Sequence, residues 1–464
     1  MLLSFALAAL TAFSFQDCVP ARWAPTDVES LRLLTDSAVT CIVVEEPAWN
    51  EAFVKAAHDK GVRVLASLPT KETEATAKRA LDAKVDALYA EAISDKDLIA
   101  RLDATAAAAG TSVAWLPERV HMPLAESTAG KSRGMLGTYQ GLWAGVKLGH
   151  EGEAEAAPSG PPWIDTNSGF LRFLRTIAPP ATPIWIANRP PTDRYTPATR
   201  YLQGIGDAAM AGAHWVVSLD GDLWKAMVAG DQKALDTWKR INTLLRFYKQ
   251  KNVYTQLPDY SNLAIVQDIN SGALVSGSVL DMVESKHIPA IVITPASLPS
   301  AKDHKVKLML NIDPQSLTDA QREEVRGTAR RGAMVLNGPP QWKISLPPPE
   351  AITFTEDQLK QLDDIWKEIN RVIGRENFAV RIFGAPAMLS NLKAAPNSSE
   401  RVLHLVNYSD YPVEGITVHT VERIKSAVLL TPNGEFQPEV YDYEEGSGID
   451  IDEVNEAAIL VLRP

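Results

Sequence analysis

The chain has 464 residues, 45% of them hydrophobic and 22% charged, and a formal net charge of -11. That length exceeds one ordinary core and predicts two to four domains. The acidic balance leaves no basic stripe for phosphates, which excludes nucleic-acid binding as the main activity and disfavours an anionic membrane surface.

The first stretch, MLLSFALAALTAFSFQDC, has an apolar run over residues 2–13 that is short for a bilayer span, with Ala12 and Ser14 in cleavage-like positions. A secretory signal is expected over residues 1–16, although no Lys or Arg follows Met1; the other reading is an apolar arm. No later run is long and apolar enough to cross a membrane, so the expected location is secreted or periplasmic. Cys18 and Cys41 are the only cysteines. Export permits them to pair, and two free thiols are the other reading. No Cys or His spacing suits a metal, and neither metal nor cofactor is expected.

Next comes a repeated unit of apolar run and helix-like segment. The runs are VTCIVVEE (39–46), VRVLASLP (62–69), ALYAEA (87–92), SVAWLPE (112–118), MLGTYQG (135–141), PWIDTN (162–167), PIWIAN (183–188) and HWVVSLD (214–220). Between them lie helices such as WNEAFVKAAHDK, closed by Gly61, and residues 94–110, where SDKD opens like a capping box. Nearly continuous apolar strands alternating with helices predict a parallel sheet covered on both faces. Eight such units favour a (β/α)8 TIM barrel over residues 19–255. A dinucleotide-binding open sheet is disfavoured, because no glycine-rich loop follows the first run.

After a helix at 234–250 the pattern changes. Runs at 263–268, 288–297, 306–313 and 333–338 predict a small open α/β sheet of four or five strands in a segment 260–375, which also holds a Pro-rich linker and a helix at 355–374. From 376 to 464, short alternating runs separated by turn residues predict an antiparallel β-sandwich.

This order, with IVQD and IVITPAS in the middle segment and NYSDYPVEGITV and EAAILVLRP near the end, resembles β-galactosidase-type glycoside hydrolases that carry a trimerisation domain of glutamine-amidotransferase-like fold. The resemblance implies a carbohydrate substrate and a homo-oligomer formed through the middle segment. That family places an Asn-Glu pair after its fourth strand, where Pro117-Glu118 matches only in the Glu. Its seventh-strand Glu nucleophile is replaced by Asn188-Arg189. The middle segment has no Cys nucleophile and is expected to be structural or interfacial.

In such a barrel, reactive groups gather at the C-terminal ends of the strands. Glu118 is the candidate acid, its proton retained by burial near Trp115; the other reading is a helix-start carboxylate paired with Arg119 or His121. Asp165 and Asp220 are candidate bases or nucleophiles, and each also reads as an N-cap. Glu91, Tyr139, Trp143, Asn167, Asn188, Arg189 and Trp49 are candidate substrate contacts. Of Glu45 and Glu46, strand alternation turns only one inward. Arg189 either binds a carboxylate-bearing sugar or neutralises an acidic mouth. The expected function is an exported glycoside hydrolase using two carboxylates. The alternative is a catalytically inactive barrel that binds carbohydrate or serves as a scaffold.

Overall fold

In the computed structural model, the described residues are 13–124, 134–143, 146–148, 154–156, 166–179, 181–190, 196–268, 277–303, 305–339, 342, 355–374, 379–385 and 387–464. Five apolar stretches, β1 (Pro20–Arg22), β2 (Cys41–Val44), β3 (Arg63–Leu68), β4 (Ala87–Glu91) and β5 (Val113–Leu116), pair in chain order as a parallel sheet. Their residues are buried on both faces: Ile42, Val44, Val64 and Leu88 pack with helix residues such as Phe53 and Ile99, whereas Val43, Leu65 and Tyr89 pack with Trp185 and Val216 from the stretches of a second sheet. Three further strands, β6 (Leu136–Thr138), β7 (Ile184–Ile186) and β8 (His214–Trp215), form a second parallel sheet in the order β8-β7-β6.

The two sheets curl towards each other. At one edge Ala21 bridges to Val217. There the Arg22 amide donates to Val217 O at 2.8 Å, and the Val217 amide donates to Pro20 O at 3.1 Å. At the other edge the Thr138 hydroxyl donates to Pro117 O at 2.8 Å.

Two expectations about the strands are corrected. β1 was not among the expected runs, because three residues between Cys18 and Trp23 carry no periodic signal. The second is the order: β6 pairs directly with β7, Leu136 opposite Ile184 and Thr138 opposite Ile186, so no strand stands between them, and residues 162–165 of the run PWIDTN lie outside the described residues. Counted in order, Ala87–Glu91 is therefore the fourth strand and Val113–Leu116 the fifth.

The connecting helices include α1 (Glu51–Asp59), α2 (Thr73–Asp82), α3 (Lys96–Ala108), α4 (Ser168–Ile177), α5 (Ala198–Met210), α6 (Gly221–Ala229) and α7 (Gln232–Gln250). Their starts follow local chemistry: Asn50, Asp95, Asp220 and Asp231 each cap the following helix by accepting backbone amides. A disulfide joins Cys18 to Cys41, tying the segment before β1 to the first residue of β2.

The middle segment holds four parallel strands, β9 (Leu263–Val266), β10 (Ile291–Ile293), β11 (Leu308–Asn311) and β12 (Met334–Asn337), in the order β10-β9-β11-β12. Helices α8 (Ser278–Ser285), α9 (Asp319–Arg330) and α10 (Glu356–Val372) accompany them. The C-terminal part is an antiparallel sandwich. Strands β13 (Val380–Phe383), β14 (Met388–Lys393), β15 (Arg401–Asn407), β16 (Val413–Thr420), β17 (Ser426–Thr431), β18 (Gly434–Phe436), β19 (Glu439–Tyr443), β20 (Gly446–Val454) and β21 (Ala457–Arg463) make its two sheets. Their orders are β13-β16-β20-β19 and β14-β15-β21-β17-β18.

A buried ionic junction joins these parts around the start of α4. The Gly169 amide donates to Asp281 at 2.6 Å and the Ser168 hydroxyl to Glu284 at 2.8 Å, so two carboxylates of α8 sit at the positive end of α4. Arg172 then ion-pairs with Asp259 at 2.8 Å and with Glu284 at 3.4 Å. Asp259 also meets Lys393 of β14 at 3.5 Å.

Candidate active site

The C-terminal ends of the curled strands open onto two adjoining cavities. The larger, about 860 Å³, is bordered by Arg22, Trp23, Glu45, Arg189, Tyr201 and Asp220 among others. The smaller, about 490 Å³, is bordered by Ser67, Thr70, Glu91 and Ala92, and shares Glu45, Glu46 and Arg189 with the larger.

Glu91 ends β4 and stands between two arginines. Arg22, at the end of β1, forms a close ion pair with it, and Arg189 lies 4.0 Å away on the other side. Arg22 also donates to the Tyr89 hydroxyl at 3.1 Å. Burial lowers the Arg22 pKa from its usual range and raises that of Tyr89. Ala92, directly after Glu91, has φ +57°, a left-handed conformation that a side-chain-bearing residue holds only when its surroundings impose it.

Glu118 follows the end of β5, where Glu91 is the register partner of Leu116. Its side chain is 36% exposed rather than buried; it lies 3.3 Å from His121 and accepts the Tyr139 hydroxyl at 3.4 Å. Trp115, expected to bury it, is turned into the core and donates its indole N–H to Ile93 O at 2.7 Å. Arg119 points away from Glu118, donating to the Gln140 carbonyl and to Asn167. Burial lowers the Arg119 pKa to about 9.

The other expected residues divide between the mouth and the interior. Glu45 pairs with Arg189 at 2.7 Å and Glu46 with Arg79 at 2.9 Å, so both carboxylates are in ion pairs. Asp220 borders the large cavity, but it caps α6 by accepting the Asp222 and Leu223 amides and takes the Tyr201 hydroxyl at 2.6 Å. Asn188 anchors its loop by donating to Gly141 O at 2.6 Å. Trp143 packs edge-on against Tyr201 and Trp215, and Trp49 is buried. Asn167 is a buried hub: its backbone N–H and side-chain Nδ2 donate to Asp207, and its side-chain Oδ1 accepts from Arg119 and from the Leu142 amide. Burial raises the pKa of Asp207 against the hydrogen bonds that it accepts there. Asp165 lies outside the described residues.

Arg22 and Tyr201 border the larger cavity and Tyr89 hydrogen-bonds Arg22, and the sequence reading singled out none of the three. The signal for Arg22 was the arginine closing VPAR, but so short a run does not identify itself as a strand end. Among the described residues, no group of His, Cys, Asp and Glu could hold a metal ion. No helix among them is long and apolar enough to cross a membrane.

Neither a family model nor a curated protein matches the sequence. Among solved structures the chain is similar to α-L-fucosidase isoenzyme 2 from Paenibacillus thiaminolyticus, with a TM-score of 0.60 at 11% identity over 96% of this chain and 99% of that one. It is also similar to the β-galactosidase from Rahnella sp. R3, with a TM-score of 0.51 at 8% identity over 95% and 97% of the two chains. At these identities the likeness is one of fold, and the fold is glycosidase-like.

Proposed function

We propose that the chain is an exported glycoside hydrolase acting on an oligo- or polysaccharide, with Glu91 as the nucleophile or base and Glu118 as the acid. The observation that carries this is Glu91 itself. It ends a strand at the mouth of a glycosidase-like fold, lies within ion-pair distance of both Arg22 and Arg189, and is followed by a residue in a left-handed conformation. An ionised carboxylate is what attack at an anomeric carbon, or activation of water, requires.

Glu118, on the neighbouring strand end and partly open to solvent, is available to protonate the leaving oxygen. Asp220 is the poorer partner, because its oxygens already cap α6 and receive Tyr201.

The same proposal takes β1–β8 as one closed (β/α)8 barrel, supported by the pairing of β1 with Val217. It divides the chain into segments 19–255, 260–375 and 376–464, the middle one amidotransferase-like and forming a homo-oligomer contact. Sedimentation as a monomer would remove the oligomer. The Cys18–Cys41 disulfide supports export. A panel of aryl glycosides and natural oligosaccharides tests the activity. Glu91→Gln and Glu118→Gln are each expected to lower turnover about 10²–10⁴-fold, and unchanged turnover in both would overturn the assignment.

A second reading, a barrel that binds glycans without cleaving them, is favoured by Arg189. An arginine stands at the end of β7, where the resembling family carries its nucleophile. Calorimetric binding with no turnover across the panel would select that reading.

A further inference from the structure

The two cavities at the mouth share one exposed ion pair. Arg189 and Glu45 border both of them, and their charged groups meet at 2.7 Å. The side chains are 59% and 65% exposed, so the pair is the kind that water and salt weaken readily. The backbone beneath Arg189 is fixed by contrast. Trp143 donates its indole N–H to Arg189 O at 3.0 Å, and Asn188 anchors to Gly141 O. The guanidinium thus has a rigid base and a weakly held tip.

The spaces on either side are chemically unlike. The larger has an apolar floor of Trp23, Tyr201 and Trp224, while the smaller has no aromatic ring among its described lining residues and offers the Thr70 hydroxyl, with Ser67 bordering both. Both are edged by more carboxylates than cations: Glu45, Glu46, Asp220, Asp222 and Asp231 stand against Arg22, Arg189 and Lys233 in the larger, and Glu45, Glu46 and Glu91 against Arg189 in the smaller. A ligand that fills both spaces needs an apolar face at one end, hydroxyls along its length and no negative charge of its own.

We infer that the Glu45–Arg189 pair divides two sugar subsites, and that the ligand is a neutral glycan chain of two or more units lying across it. This rests on the glycan-binding reading above and specifies its ligand class. A single sugar fills one side only, whereas a chain meets both and contacts the pair itself. Arg189 is then a specificity-determining residue, setting chain length rather than the identity of any one sugar.

The test uses the full-length chain carrying Glu91→Gln, to prevent turnover, and calorimetry with cello-, xylo-, manno- and chito-oligosaccharides from monomer upwards. Affinity is expected to rise about tenfold or more from monomer to trimer in at least one series. Adding Arg189→Ala should remove most of that rise, and Arg189→Lys should restore part of it. Equal binding of monomer and trimer, or a rise that Arg189→Ala leaves intact, would overturn the inference while leaving glycan binding standing. Tighter binding of an oligogalacturonate series would overturn the requirement for a neutral chain. Absence of binding by every series, in the wild-type chain as well, would remove the glycan reading and this inference together.

Discussion

Glu91 and Leu116 stand opposite each other in the register of β4 and β5, and Glu118 comes two residues beyond that pairing. The two carboxylates proposed for catalysis are thus on neighbouring strand ends, and their roles predict different responses to the leaving group. Loss of the acid matters least when the leaving oxygen needs no proton. Glu118→Gln should therefore retain much more activity on dinitrophenyl glycosides than on alkyl glycosides, whereas Glu91→Gln should fail on both. Equal losses on the two substrate types in Glu118→Gln would assign the acid elsewhere.

Arg22 supplies the second prediction, because its charge and that of Glu91 are both largely withdrawn from water. Removing Arg22 leaves Glu91 with only the more distant Arg189, 4.0 Å away, and breaking a buried pair costs up to about 3–5 kcal/mol. Arg22→Met should lower stability by about that amount, as read by urea unfolding. Adding Glu91→Gln should recover part of the loss, since no stranded charge then remains. A double variant less stable than Arg22→Met alone would show that Arg22 acts through packing rather than through Glu91.

The sequence made the strands at 41–44, 63–68, 87–91 and 113–116 legible because each is apolar on both faces and bounded by helix signals. It did not make β1 legible, since the pairing of Pro20–Arg22 with Cys41 and Val217 lies in tertiary contacts and not in periodicity. Missing that strand shifted the count by one and drew attention to Glu118 while Glu91, the true fourth-strand end, was read as a lesser contact. Asn167 shows the limit at the level of a single side chain. Its position near a helix start was visible, but Arg119 and Asp207, which hold it in the interior, reach it only through the fold.

Glu284 carries a pH prediction. Burial raises its pKa to about 7, opposed by Arg172 and by the Ser168 hydrogen bond. A carboxyl whose folded pKa is raised gives stability that is fully present below its unfolded pKa, near 4.5, and that is lost as pH rises through about 7. His214 and His404 act in the opposite sense: burial lowers them to about 4 and about 3, so their stability is lost as pH falls from 6.5 towards those values. Stability should pass through a maximum between the two limbs. Glu284→Gln should flatten the alkaline limb between pH 5 and 8 by on the order of 2–3 kcal/mol while leaving the acid limb in place. Parallel thermal or urea unfolding across that range reads the difference, and an unchanged alkaline limb would remove Glu284 as its source.

The meeting of α4 and α8 depends on how closely two backbones approach. Gly277 precedes α8 with φ +64°, and a Cβ built on it would lie 2.7 Å from the carbonyl carbon of Gly169. Gly230, which closes α6 with φ +82°, has nothing within 4 Å of the same position. Alanine at either site takes on a left-handed conformation at a cost of about 1–2 kcal/mol, but only at 277 does it also strike fixed backbone. That clash would part the first turn of α4 from Asp281 and Glu284, exposing carboxylates that the Gly169 amide and the Ser168 hydroxyl now satisfy. Gly277→Ala should therefore destabilise the protein clearly more than Gly230→Ala in matched urea melts. It should also weaken the pH dependence assigned to Glu284, because water would reach that carboxyl. Equal costs at the two glycines would mean that the backbones can separate without strain and that the ionic junction does not depend on their contact.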